Sequence, residues 1–335
     1  MGADSHQSSA LRAARVAAGL SQEKLAERVN AEIESATGKL GALDGNTISR
    51  LERGAIGRPA RRTIDALCRV LGVDTETELG FDRPAVNVEA VRHDVAKPWK
   101  VGPDALDAIG TVLAGLRRLE DATNSRTVAS SVDQQIAIVQ KFAKDATHEH
   151  RQQAVALAAE ASTYRGWLAL DMRDWKTADR SLNDATALAY EGQTQNLLVE
   201  AVGFKSYAAL KRGEIVAAVS LRHAAQPLAQ SEVERAVASL HLARTLAIAG
   251  DFPASDKALA LADKAIEAAQ GVPRDDYHYY VTDPWLLIQH GLVHAWAGRK
   301  QQAASDIAAG LADMPAEQRE SEWAAEYRKM LERVS

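Results

Sequence analysis

"SQEKLAERVNAEIESATGKLGALDGNTISRLERG", residues 21–54, decides how the first part of the chain is read. Ser21 stands as a helix N-cap, its hydroxyl oxygen an acceptor for a first-turn N–H, before "QEKLAERV", where Leu25 and Val29 supply one apolar face. The capping box is incomplete, because Lys24 stands where Glu or Gln would reach back to the cap. Asp44 caps a second short helix, "GNTISRLER", and Gly54 occupies the position where a left-handed residue ends one. Between the two lies "AEIESATGKLGA" (31–42), about twelve residues more than a tight turn needs. Ile33 continues the phase of the first helix and "TGKLG" breaks it, so the stretch reads as a lengthened helix followed by a glycine loop.

Outward from this stretch, Leu11 and Val16 precede it and Ile64, Leu67 and Leu71 follow it, all at helical spacing, so five short helices fit between Ser9 and about Leu79. Cys68, the single cysteine, shares the apolar face of "TIDALCRVL" with Ile64 and Leu71 and is expected to be buried and inert. The whole chain carries a net charge of −5, yet residues 44–71 hold six arginines against Asp44, Glu52 and Asp65. A short helix with polar donors near its N-terminus, flanked by cations, has the dimensions and chemistry that the major groove of DNA requires.

"LRAARVAAGLSQEKLAERV" (11–29), "NTISRLERG" (46–54) and "RPARRTIDALCRVLGV" (58–73), taken in order, resemble the phage-repressor (Cro/CI, or XRE) type of helix-turn-helix DNA-binding domain over residues 9–79. The inserted 31–42 segment departs from that pattern, and the motif survives it. The resemblance implies base contacts from Gln22, Asn46, Thr47 and Arg50 and phosphate contacts from Arg53, Arg58, Arg61 and Arg62, with Gly45 at a position where a base-reading side chain often stands. Side-chain chemistry agrees: Arg pairs bidentately with guanine, Asn with adenine, and the Thr methyl meets a thymine methyl, whereas flanking arginines clamp phosphates without reading sequence. Such arginines on a surface domain otherwise serve only for solubility. The resemblance also implies a partly buried ion pair between Arg15 and Glu52, which assigns those two residues to structure.

"FDRPAVNVEAVRHDVAKPWKVGP" (81–103) carries three of the nine prolines and no helical period, and reads as a linker. The expected domains are 1–82, a linker over 83–103, and 104–335. In the last of these, "LDMRDWKTADRSL" (170–182), "ALKRGEIVAAVSL" (209–221), "AIAGDFPASDKAL" (247–259) and "AWAGRKQQAASDI" (295–307) share one turn. Arg173, Gly213, Gly250 and Gly298 sit at the turns, 40, 37 and 48 residues apart, and each is followed five residues later by a small residue: Ala178, Ala218, Ser255 and Ala303. The spacing is a loose form of the roughly 34-residue repeat, and the segment resembles degenerate tetratricopeptide units. A generic bundle with glycine in its turns is the alternative, but it gives no reason for the fixed offset of the small residue. The long spacer together with "ELGFDRP" (78–84) and "YRGWLALD" (164–171) is similar to actinobacterial regulators that join the two kinds of domain.

Registered on their turns, the repeats direct Trp167, Tyr207, Leu240, Arg244, Trp285, Ile288, Leu292 and Trp296 toward a concave face, with Glu160, Glu200 and Lys211 at its rim. Trp167, Tyr207, Arg244, Trp285 and Trp296 form the candidate ligand site: the aromatics supply area and the arginine a carboxylate clamp for a peptide or small-molecule effector. Each aromatic alone is equally an ordinary packing residue. "HGLVH" sets His290 and His294 one turn apart, but with Gly291 where a zinc protease carries glutamate and no third ligand in view, they read as helix-interface histidines and no metal site is assigned.

No phosphate-binding glycine loop and no catalytic triad stand out, so no catalytic residue, cofactor or enzymatic activity is expected. Alanine is abundant, proline and aromatics (5%) are scarce, and no run approaches the ~18 apolar residues of a membrane span. The expectation is an all-α, cytoplasmic regulator: a five-helix helix-turn-helix domain plus a tetratricopeptide-like α-solenoid. It would bind double-stranded DNA at an inverted-repeat operator as a homodimer, most simply as a repressor, and answer to a peptide or small-molecule ligand. A ligand-independent dimeric repressor and a protein-interaction adaptor of antitoxin-like kind are the competing readings.

Overall fold

The computed structural model describes residues 4–37, 41–56, 59, 61–73, 75–81, 88–270 and 278–335. Among these residues the regular structure is all helical, and the chain divides into two units, 1–85 and 86–335.

The first unit contains α1 (Asp4–Ala17), α2 (Gln22–Thr37), α3 (Gly45–Glu52) and α4 (Arg61–Leu71). The fifth helix of the sequence reading is a single 3-10 turn, Glu76–Leu79, held by reciprocal bonds between Thr75 and Glu78. Leu11, Leu25, Val29, Ile48, Ile64, Leu67 and Leu79 form its core. Val16, expected among them, is 60% exposed, and Cys68 is only partly buried against the same core. α2 runs on to Thr37 because Ile33 keeps the apolar face against the core. Asn30 then secures the far end of the insertion, donating from Nδ2 to the Leu43 carbonyl at 2.8 Å and accepting from the Leu43 N–H at 2.9 Å. Gly41 is required there, since a Cβ would stand 2.8 Å from the Asn30 Cα. The longer connection is therefore tied back onto α2 beside the start of α3.

The second unit begins earlier than the sequence suggested. Much of the stretch read as a linker is α5 (Val88–Ala96) and a 3-10 turn, Pro98–Lys100, and the buried Val101 joins the core that follows. The Asp94 carboxylate accepts the Gly102 N–H at 3.0 Å. Then come α6 (Pro103–Ala122), α7 (Ser125–Asp145), α8 (His148–Asp171), α9 (Trp175–Glu191), α10 (Gln195–Lys211), α11 (Ile215–Ala225), α12 (Glu232–Ala249), α13 (Phe252–Ala268), α14 (Asp283–Trp296), α15 (Lys300–Asp313), α16 (Ala316–Arg319) and α17 (Ala325–Val334).

The helices from α8 to α15 pack as four hairpins, α8 on α9, α10 on α11, α12 on α13 and α14 on α15. Each hairpin turn has a residue in the left-handed region: Arg173 (φ 59), Gly213 (φ 77), Gly250 (φ 81) and Gly298 (φ 77). The small residue five positions on is fully buried in all four, with Ala178, Ala218, Ser255 and Ala303 at 0% exposure. Ser206 donates to the Ala218 carbonyl at 2.8 Å and Ser255 to the Ala243 carbonyl at 2.9 Å, which links paired helices where they approach. The repeat is a tetratricopeptide-like solenoid because the turn sets the direction and the small side chain sets the distance.

A larger side chain at such a contact has no room. Ala303→Leu should cost about 1–3 kcal/mol in urea denaturation, while Gln301→Leu, at an exposed position on the same helix, should stay within about 0.5 kcal/mol of the parent.

Candidate functional site

Two sites emerge, one in each unit. In the first, α3 is eight residues long, too short to be stable alone, so its ends and buried face position it. Asp44 accepts from the Thr47 N–H at 2.7 Å and from the Thr47 hydroxyl at 2.6 Å, bonds that hold its carboxyl below the usual range. Gly54, with φ 62, ends the helix. Ile48, Leu51 and Glu52 face inward. The buried Glu52 carboxylate gathers three donors: Arg15 Nε at 2.5 Å, Arg15 Nη2 at 3.2 Å and Gln22 Nε2 at 2.7 Å. Arg15 also donates to the Leu20 carbonyl at 2.7 Å. One carboxylate thus fixes the rotation of α1, α2 and α3 about one another.

That network changes the reading of Gln22. Its amide is half-buried and donates an N–H to Glu52, a bond that also orients α3. Asn46, Arg50 and Arg53 lie on the opposite, exposed face of α3 with no core role, and Thr47 sits beside them with its hydroxyl committed to Asp44. Arg53 donates its Nε to the Ser49 carbonyl at 3.1 Å. Arg12, which the sequence reading passed over, lines the same surface groove as Arg53 and Gln22. Arg58 lies outside the described residues; Arg61 and Arg62 open α4, and their side chains also lie outside them.

The second site is a cavity on the inner side of the solenoid, about 1410 Å³ of space partly open to solvent. Of the five residues proposed for it, Trp167, Tyr207, Arg244 and Trp285 line it together, from α8, α10, α12 and α14. Trp296 does not. It sits at the end of α14 beneath the Arg333 guanidinium, 5.5 Å from the ring centre, because the last turn of α14 packs toward α17. Leu240, Ile288 and Leu292 point into the core and are fully buried there.

Trp167 packs against Phe204, ring centres 5.5 Å apart, and donates its Nε1 to Glu120 at 2.9 Å. Trp285 donates to the Tyr327 hydroxyl at 3.1 Å. Arg244 is not a free clamp: its side chain is only 13% exposed and ion-paired with Glu326 of α17. Tyr207 at 2.9 Å and Lys211 at 2.6 Å bond the same carboxylate. Burial alone would raise the Glu326 carboxyl, but Arg244 and Lys211 outweigh it and hold it down to about 2. Glu160 and Glu200 are likewise taken, by Arg117 at 2.7 Å and the Tyr280 hydroxyl at 2.9 Å.

The residue left over is Arg222 of α11, 7% exposed and part of the cavity wall. Its Nε has no hydrogen-bond partner, and among the described residues no carboxylate pairs with it. Burial lowers it to about 10, only partly opposed by Glu200. Gly203 of α10 opens its path, since a Cβ there would stand 2.8 Å from Arg222 Nη1. The sequence did hold a signal, a lone arginine in the apolar run "IVAAVSLRHAA". The far wall comes from outside the repeats: Asp121 of α6 accepts from the Tyr279 hydroxyl at 2.6 Å and from Trp323 Nε1 at 2.9 Å, which joins the first and last parts of this unit.

Beside it, burial pushes the Glu120 carboxyl up to about 7, against bonds from Trp167 and Ser125 that favour its charged form. With its folded value above the unfolded 4.5, Glu120 supports folding below about pH 4.5, and that support is lost as pH rises through about 7. Glu120→Gln keeps the acceptor and removes the charge. It should therefore gain stability relative to the parent between about pH 5 and about pH 8, read as a widening gap in urea midpoints.

No curated protein matches the chain. Among solved structures, BtubC from P. vanneervenii is 14% identical over 63% of this chain and 83% of its own, with a TM-score of 0.46. PlcR of Bacillus thuringiensis, solved with the peptide PapR7 and DNA, is 12% identical over 98% of both chains at a TM-score of 0.36. The competence regulator ComR of Streptococcus vestibularis, in its apo form, is 11% identical over 98% of this chain and 99% of its own at 0.33. Residues 8–79 match the family model described as a helix-turn-helix domain, and α1–α4 with the turn at Glu76–Leu79 are that domain in this chain.

Proposed function

We propose that this chain is a sequence-specific DNA-binding transcription regulator of the phage-repressor type, whose solenoid unit answers to an anionic ligand. The observation that carries the DNA-binding part is α3: a short helix capped by Asp44, locked on its inner face through Glu52, and presenting Asn46, Arg50 and Arg53 outward. Exposed polar side chains outside the core, on a helix whose rotation is fixed from behind, suit base edges and phosphates. Like other such domains it would act as a homodimer on an inverted-repeat operator with half-sites about 34 Å apart, and as a repressor where that operator overlaps a promoter. Selection of bound genomic fragments tests this directly; recovery of sequences without a shared motif would count against it. On the selected site, Arg50→Ala should lose about 1–3 kcal/mol while leaving binding to unrelated DNA nearly unchanged.

The ligand part rests on Arg222. A buried guanidinium with no carboxylate in direct contact costs stability, which Glu200 offsets only in part, and a carboxylate or phosphate entering from the cavity would supply a direct partner. Trp167, Phe204 and Trp285 offer apolar area for the rest of such a molecule, so a peptide with a free C-terminus or an aromatic acid fits the chemistry. Control of DNA binding then requires only that the ligand prefer one of two arrangements of the protein. Arg222→Met separates this from a merely structural arginine. It should leave the apo protein as stable as the parent or more so, yet abolish the rise in melting temperature produced by the best ligand from a panel of free-acid and amidated peptides and aromatic acids. Loss of stability with ligand binding intact would reject the assignment.

A further inference from the structure

α14 and α15 approach closely at Gly291, where a Cβ would meet the Ile307 side chain at 2.8 Å and the Asp306 Cβ at 2.9 Å. Beside that contact, His290 and His294 of α14 face Asp306 of α15. One ligand atom from each of the three lies within 4.8 Å of the other two. His290 Nδ1 is 2.8 Å from Asp306 Oδ2, and His294 Nε2 is 3.9 Å from the same oxygen. The geometry points to a binding site for a single divalent transition-metal ion of the zinc class, held by His290, His294 and Asp306 on the α14–α15 hairpin.

Three observations support it. Zinc bound to imidazole nitrogen and carboxylate oxygen at about 2.0–2.1 Å in a tetrahedron sets its ligands about 3.4 Å apart. The two separations at Asp306 bracket that value, so small side-chain rotations suffice. Second, His290 has a carboxylate at each nitrogen, Asp306 at Nδ1 and Asp263 of α13 at 3.4 Å from Nε2. A neutral imidazole has one N–H and satisfies only one of them. With the proton on Nε2 toward Asp263, the Nδ1 lone pair is directed at the place where a cation would join it to Asp306, the arrangement in which an outer carboxylate orients a metal-bound histidine. Third, His294 is 8% exposed and its Nε2 stands 3.9 Å from Asp306 Oδ2, beyond hydrogen-bond distance. A hairpin stabilised by a His–Asp hydrogen bond alone accounts for His290 but leaves His294 without a partner.

The set of two imidazoles and one carboxylate suits zinc, cobalt or nickel and not magnesium or calcium, which prefer oxygen ligands. With three protein ligands, a fourth position remains for water or another donor. The site uses none of the cavity or α3 residues, so its test is independent of the regulator assignment.

Zinc chloride titrated calorimetrically into the full-length, tag-free, chelator-stripped chain should bind at about one equivalent, unaffected by excess magnesium. His294→Gln and Asp306→Asn should each weaken binding by at least about 100-fold, and Asp263→Asn by about tenfold. The melting temperature should rise with zinc in the parent and not in the first two variants. If His294→Gln fails to fold, Asp306→Asn, at a position partly open to solvent, carries the comparison. Absence of one-equivalent binding, or zinc binding retained at parental affinity in the ligand variants, overturns the proposal.

Discussion

The Glu326 carboxylate is the tie on which the shape of the solenoid unit depends. It sits on α17 and collects Arg244 from α12 together with Tyr207 and Lys211 from α10, so that the end of the chain is bonded to the middle of the repeat stack. An anion this buried persists only if its donors outweigh the loss of water, and two cations and a phenol do so. Without α17 in place, the inner surface of α10 and α12 would be an open groove bearing an unpaired Arg244. With it, the groove becomes a walled cavity. Asp121 performs the same service on the opposite wall, collecting Tyr279 and Trp323.

Glu52 does for the first unit what Glu326 does for the second. In both, a carboxylate gathers several donors from separate helices, and in both a residue that looked functional proves to be one of those donors. Gln22 donates to Glu52, and Arg244 to Glu326.

What the sequence made legible was set locally. The hairpins could be read because a left-handed turn and a small residue five positions later are local signatures, and those small residues lie at the closest helix contacts. The short helices of the first unit, the lengthened α2 and the Asp44 cap were legible for the same reason: each is set by residues within one or two turns. The cavity was legible in four aromatic or charged residues on successive inner helices, and illegible where its walls close through Tyr279, Trp323 and Glu326, which follow no repeat. Periodicity places a side chain on a face; it does not reveal whether a partner 82 residues away has already claimed it, as Glu326 has claimed Arg244. The stretch at 88–103 misled for a related reason. Its two apolar anchors are too few to show a period, yet Val91, Val101 and the Asp94 bond to Gly102 dock it on the second unit.

Arg222 and Arg244 make the energetic distinction sharp, since both are arginines buried in one cavity wall. Arg244 stabilises a tertiary contact, and removing it would leave Glu326 with Lys211 and the Tyr207 hydroxyl. Arg222 pairs directly with no carboxylate among the described residues, and burial works against its charge while Glu200 only partly supports it. Methionine or leucine would fill the same volume at lower cost, so packing gives no reason for an arginine there. A Cβ at Gly203 of α10 would stand 2.8 Å from Arg222 Nη1, so the flexible end of the arginine lies close against that helix. The distinction is one of charge pairing: Arg244 meets a carboxylate at contact distance on the cavity wall, and Arg222 has only the longer-range field of Glu200 to offset its burial.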